Sequence, residues 1–185
     1  MTTIVGLSGS LRTGSFNTAL LRAAATLMPE GSELLVKTIH GIPLYDGDLE
    51  ASSGIPAPVR DLGTAIANAD GLLLVTPEYN NSIPGPFKNT IDWLSRIDDD
   101  ANPVFTGKPV AIIGASPGGF GTLLSQNAWL PVLRTLETLP WFGGRLLASR
   151  AAGLFDAQGN LTDESTKKKL REFLAGFTAF MLSLP

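Results

Sequence analysis

Gly71-Leu72-Leu73-Leu74-Val75-Thr76-Pro77-Glu78-Tyr79-Asn80-Asn81-Ser82-Ile83-Pro84-Gly85-Pro86-Phe87 decides the fold. Five apolar residues ending at a turn signal read as a buried strand. Pro77 cannot donate to a sheet ladder, so the strand stops there. The polar run Glu78 to Ser82 then crosses the carboxyl end of that strand, the edge at which open α/β sheets bind ligands. Pro84 and Pro86 suit the first turn of a helix, where a missing N–H costs little. Phe87, Ile91 and Leu94 follow at helical spacing and extend that helix to about Arg96.

Outward from this unit the same alternation repeats. Towards the amino end, Thr3 to Leu7 and Leu34 to Thr38 read as strands. Between them lies a helix carrying Leu20, Leu21, Ala24 and Leu27, with Ser15 or Asn17 as its cap. Ile42 to Asp48 reads as a loop, and Pro56 opens a helix with Val59, Leu62, Ile66 and Ala67. Towards the carboxyl end, Asp98-Asp99-Asp100 reads as a solvated turn and Lys108 to Ala115 as the fourth strand. A helix through Leu123, Leu124, Trp129, Leu133 and Leu136 contains Pro131, which is expected to kink or break it. Gly144 to Ala148 is a weak fifth strand. Thr162-Asp163-Glu164-Ser165 carries a capping pattern for a last helix that buries Leu170, Phe173, Leu174 and Phe177. Lys167-Lys168-Lys169 reads as its solvated face.

Strands alternating with helices imply right-handed βαβ units and a parallel sheet. The count fits one α/β domain over residues 1–185, a doubly wound five-stranded sheet of flavodoxin-like order 2-1-3-4-5. The chain has 185 residues, 44% hydrophobic and 17% charged, which excludes a disordered polymer. A net charge of −3 argues against a nucleic-acid binder. With no cysteine and one histidine, thiolate chemistry is impossible and a Ser-His-Asp triad or a His-rich metal site is hard to build. No apolar run approaches the ~20 residues of a membrane span. The amino end enters a strand at once, without a signal-peptide core. The reading is a cytoplasmic protein without a membrane anchor.

In the expected strand order the loops beginning near Ser8, Thr76 and Ala115 converge. Ser8 to Ser15 has the composition of an anion cradle at a helix start, and Arg12 adds a bidentate donor for phosphate. An ordinary strand-to-helix turn is the plain alternative. It is neither a Walker A loop nor Gly-x-Gly-x-x-Gly. The second loop offers Tyr79, Asn80 and backbone groups to a flat polar ring, or else Tyr79 simply anchors the loop. Glu78 is free to pair with a cation. Lys88 and Asp92 sit i, i+4 as a surface pair. Gly118, Gly119 and Gly121 in the third loop let a planar ligand lie close, or make a flexible turn. His40 follows the second strand, away from these loops, and reads as structural.

Gly9-Ser10-Leu11-Arg12-Thr13-Gly14-Ser15-Phe16-Asn17 resembles the phosphate loop of the NADPH-dependent FMN reductase family. Pro77-Glu78-Tyr79-Asn80, with Ser82, Pro84-Gly85 and Lys88-Asn89-x-Ile91-Asp92-Trp93-Leu94-Ser95, resembles its second signature. Ile42 to Asp46 and Ser116 to Gly121 fit as well, so the likeness spans nearly the whole chain. The resemblance implies FMN as cofactor and NADPH or NADH as co-substrate. A quinone, azo dye, metal oxyanion or free flavin would be the acceptor. It places Ser10, Arg12, Ser15, Phe16 and Asn17 on the phosphate and ribityl chain. Pro77, Glu78, Tyr79 and Asn80 would border the ring, and Ala115, Ser116 and Gly119 its other edge. No catalytic side chain and no metal are implied. Relatives often carry Gly-Gly-Ala-Arg after the third loop, where this chain has Gly121-Thr122-Leu123-Leu124. That departure favours the family's homodimer over a tetramer. A flavodoxin-like electron carrier and an FMN-binding regulatory protein are the rival readings.

Overall fold

The computed structural model describes residues 1–97, 101 and 103–184. The expected turn at Asp98-Asp99-Asp100 lies outside them. Strands β1 (Thr2–Ser8), β2 (Ser32–Thr38), β3 (Gly71–Val75) and β4 (Pro109–Ala115) pair in parallel, in the order β2-β1-β3-β4. The fifth position is shared by two short strands. β5 (Leu139–Pro140) pairs with the start of β4, and β6 (Leu146–Ala148) with its end. The order 2-1-3-4-5 therefore holds, with the last place interrupted between Trp141 and Arg145.

Helices cover both faces. β1 and β3 are buried on each side, so successive residues feed opposite cores, which explains their near-continuous apolar runs. Ile4, Leu73 and Val75 pack with α1 (Phe16–Thr26) and α6 (Glu164–Leu182). Val5, Leu7, Leu72 and Leu74 pack with α3 (Ala57–Ala67), α4 (Gly85–Leu94) and α5 (Leu123–Thr135). The expected faces of α4 and α6 are the buried ones: Phe87, Ile91 and Leu94 in the first, and Leu170, Phe173, Leu174 and Phe177 in the second.

Local chemistry sets the helix ends. Ser15, in extended conformation, accepts the Thr18 amide at 3.3 Å and starts α1. Asp163 does the same for α6 through Thr166, at 2.7 Å. Lys168 and Lys169 are exposed as expected, whereas Lys167 is half-buried and pairs with Glu164. The loop expected over Ile42 to Asp48 runs at its end into a helix, α2 (Gly47–Ser53), capped by Asp46. Of the kink or break expected at Pro131, the break does not occur, and α5 continues through it. Pro131 faces solvent, so the Asn127 carbonyl left without an intrahelical donor can be hydrated.

Candidate functional site

Ser8 lies level with Val75, Val75 with Ile113, and Ala115 with Ala148. The loops that follow β1, β3 and β4 therefore leave one edge of the sheet side by side.

The first loop is built around two packed residues and a run of open donors. Ser8 and Ser10 are buried, and Ser8 Oγ lies 2.8 Å from Thr18 Oγ1. Gly9 donates to Val75 O at 3.0 Å, and a Cβ at Gly9 would lie 2.0 Å from the Phe87 ring. The amides of Leu11, Thr13, Gly14, Phe16 and Asn17 meet no acceptor among the described residues. Arg12 is exposed and its guanidinium has no partner among them. His40 is not remote from this loop, as its sequence position suggested. Its Nε2 lies 3.2 Å from Leu11 O, because the chain turns back under the loop after β2.

Asn17 and Phe16 are placed differently from the rest of that loop. The Asn17 amide donates to Ala115 O and accepts from Ala115 N, both at 2.9 Å, and is buried. It staples the start of α1 to the end of β4. The Phe16 ring stacks on Phe155 with centroids 5.7 Å apart, so its backbone N–H alone is left facing the loop.

The second loop is a tight hairpin. Tyr79 and Ser82 exchange both backbone hydrogen bonds, at 3.2 and 3.0 Å. The two residues between them, Asn80 and Asn81, have φ of 49° and 62°. Two successive positive φ values define a type I′ turn, which asparagine tolerates better than most side chains. Pro77 is buried beneath it, and Tyr79 and Asn80 are exposed. Among the described residues Glu78 finds no cation. Its Oε2 accepts the amides of Leu124 and Ser125, at 2.8 and 3.0 Å. Below this junction Thr76 Oγ1 lies 2.9 Å from Ser125 Oγ and accepts from Trp129 Nε1 at 3.1 Å. Nothing in the sequence marked these cross-loop partners, which stand about fifty positions apart.

In the third loop Ala115 is buried and Gly119 exposed. Ser116 is half-buried, its hydroxyl donates to Gly121 O, and its amide donates to Ala148 O at 3.0 Å. Gly121 has φ of +63° and packs on Leu147.

Beside the edge, Ile42 to Asp46 is fastened to α4. Asn89 and Trp93 both donate to Pro43 O, at 2.8 and 2.9 Å, and Asn89 accepts the Tyr45 amide at 2.8 Å. The Tyr45 hydroxyl donates to Glu50, which also pairs with Arg96. The Tyr45 hydrogen bond, and then that of Arg96, holds the Glu50 carboxyl below its usual range. So Asn89 and Trp93 of the second signature hold a loop in place. Lys88 and Asp92 form the expected i, i+4 pair.

The edge carries unclaimed donors in its first loop and exposed residues, Tyr79 and Asn80 with Pro117 to Phe120, in its second and third. Among the described residues no group of acidic, His or Cys side chains could hold a metal ion.

Known proteins resemble the chain over most of its length. The family described as NADPH-dependent FMN reductase matches residues 2–153. An NAD(P)H-dependent FMN reductase of Pseudomonas aeruginosa is 42% identical over 171 residues, 92% of this chain and 90% of its own. A quinone reductase of Escherichia coli K12 is 38% identical over 184 residues, 96% of this chain and 94% of its own. The solved structure of FerB, a flavoenzyme NAD(P)H:(acceptor) oxidoreductase from Paracoccus denitrificans, superposes with a TM-score of 0.85 at 34% identity, covering 98% of each chain. The protein is a member of the NADPH-dependent FMN reductase family.

Proposed function

We propose that the protein is an NAD(P)H-dependent, FMN-containing oxidoreductase that delivers the electrons of a nicotinamide hydride to a quinone. The observation that carries this is the first loop. Open amides at the start of α1 and an unpaired Arg12 supply several donors and a full positive charge in one place. That donor set fits a phosphate monoester. Ser10, Arg12 and Ser15, with the amides of Phe16 and Asn17, would hold the phosphate end. Asn17 and Phe16 contribute through their backbone, since Asn17 spends its side chain on Ala115 and Phe16 on Phe155. Pro77 to Asn80 and Ala115 to Gly119 would flank the ring.

FMN, when bound, supplies the capacity to take a hydride from nicotinamide and pass two electrons on. The chain's own residues bind and orient it, and no side-chain nucleophile is assigned. Nicotinamide and acceptor would use the same open face in turn, giving ping-pong kinetics. An open ring face would read little beyond size and polarity, so azo dyes, metal oxyanions and free flavin belong to the same proposed range. A homodimer in the cell interior completes the reading. Leu44 and Phe120, 82% and 79% exposed near this edge, support a partner surface.

Anaerobic mixing of the FMN-loaded protein with NADPH, then NADH, tests the proposal. Rapid loss of the oxidised flavin absorbance, with recovery on adding benzoquinone, is the expected result. A protein that does not bind FMN overturns it. One that binds FMN but stays oxidised is a carrier or a regulatory flavoprotein instead.

A further inference from the structure

Helix α5 begins without a cap of its own. Thr122, its N-cap residue, makes no side-chain cap hydrogen bond, and its hydroxyl accepts from Gln126 Nε2 at 3.1 Å. The first turn contains no acidic residue. The vacant role is filled from the second loop, where Glu78 takes both the Leu124 and the Ser125 amide on one carboxylate oxygen. A carboxylate at a helix N-terminus satisfies orphan donors and opposes the positive end of the helix dipole. The junction below is tight. A Cβ at Gly114 would lie 2.0 Å from Thr122 Oγ1 and 2.3 Å from Thr76 O.

We infer that Glu78 acts as a positioning residue that clamps the second loop to the start of α5. It thereby sets the separation of the two loops that flank the proposed ring and fixes a negative charge beside it, at the start of α5. This inference rests on the flavin reading above. The clamp has two separable effects. The two hydrogen bonds hold Pro77 to Asn80 at a fixed height over the third loop. The charge cancels the positive end of α5, which otherwise would favour electron uptake by a flavin lying beside it.

Two variants separate geometry from charge. Glu78→Gln keeps an oxygen for the two amides and removes the charge. Glu78→Ala removes both. In flavin-free protein, amide exchange at Leu124 and Ser125 should accelerate at least tenfold in Glu78→Ala and stay near wild type in Glu78→Gln. FMN affinity should fall at least tenfold in Glu78→Ala and change less than threefold in Glu78→Gln. The midpoint potential of FMN bound to Glu78→Gln should be more positive than in wild type. Unchanged amide exchange or unchanged FMN affinity in Glu78→Ala overturns the inference, as does an unshifted potential in Glu78→Gln. Failure of the flavin reading shows separately, as absence of FMN binding by wild type, while the exchange measurement still judges the clamp.

Discussion

Gly9 and Gly14 share one loop and look alike in the sequence, yet they answer to different forces. A methyl group on Gly9 would enter the Phe87 ring, whereas one on Gly14 would meet nothing within 4 Å. Gly9→Ala should therefore cost about 1–3 kcal/mol, the usual range for an overpacked core, and Gly14→Ala very little. Urea denaturation of the two flavin-free variants checks the contrast. Asn17 divides structure from binding in a similar way. Asn17→Ala leaves the buried Ala115 amide and carbonyl without their partner and should lower flavin-free stability by about 1–3 kcal/mol. An equally stable Asn17→Ala variant would show that water replaces the amide at no cost. Arg12 is the reverse case, because its guanidinium holds nothing among the described residues. Arg12→Ala should leave stability unchanged and weaken FMN binding by roughly 1.5–3 kcal/mol, the worth of a hydrogen bond to a charged group. Fluorescence titration with FMN reads this, and undiminished affinity would remove Arg12 from the phosphate site.

Whether an element can be read from sequence depends on what it buries. β1, β3 and β4 announce themselves because both faces are covered and their central positions are apolar. α2 has no buried residue, so its seven residues carry no apolar periodicity, and the loop read over Ile42 to Asp48 takes in its first two. The fifth strand position is obscured by Pro140 and by the break after it. Hairpin 79–82 was legible only as polar chain, yet its backbone is demanding. Asn81→Gly should be tolerated there, and Asn81→Val should destabilise, since a β-branched side chain resists positive φ. Thermal melts of the pair decide it. At the start of α6, hydrogen bonding from Thr166, hydroxyl first and amide second, holds Asp163 below its ordinary value of 3.8. A depressed carboxyl contributes stability above its unfolded value and loses it as pH falls through the folded one. Protection of the amides in the first turn of α6, after the intrinsic pH dependence of exchange is divided out, should accordingly fall only below about pH 4. A loss of protection near neutrality would contradict this cap.

For the molecule as a whole, the site is an agreement among segments distant in sequence. Asn17 meets Ala115 98 residues on, Glu78 meets Leu124 at 46, and His40 meets Leu11 at 29. Composition and spacing showed which loops would converge. They could not show these long-range pairs, because each is a consequence of sheet order and not of local pattern. A ligand bound by the folded chain alone must also stabilise it. FMN at a hundred times its dissociation constant should add about 2.7 kcal/mol, a rise of roughly 5–10 °C in melting temperature for a chain of this size. A melting curve indifferent to FMN would contradict a preformed site.

His40 gives the molecule a built-in reporter. As the chain's sole imidazole, pressed against the Leu11 carbonyl, it yields one uncrowded nuclear resonance set that watches the cradle from below. A spectroscopist could follow anion occupancy there, even with a colourless phosphate ester, without labelling or mutating anything.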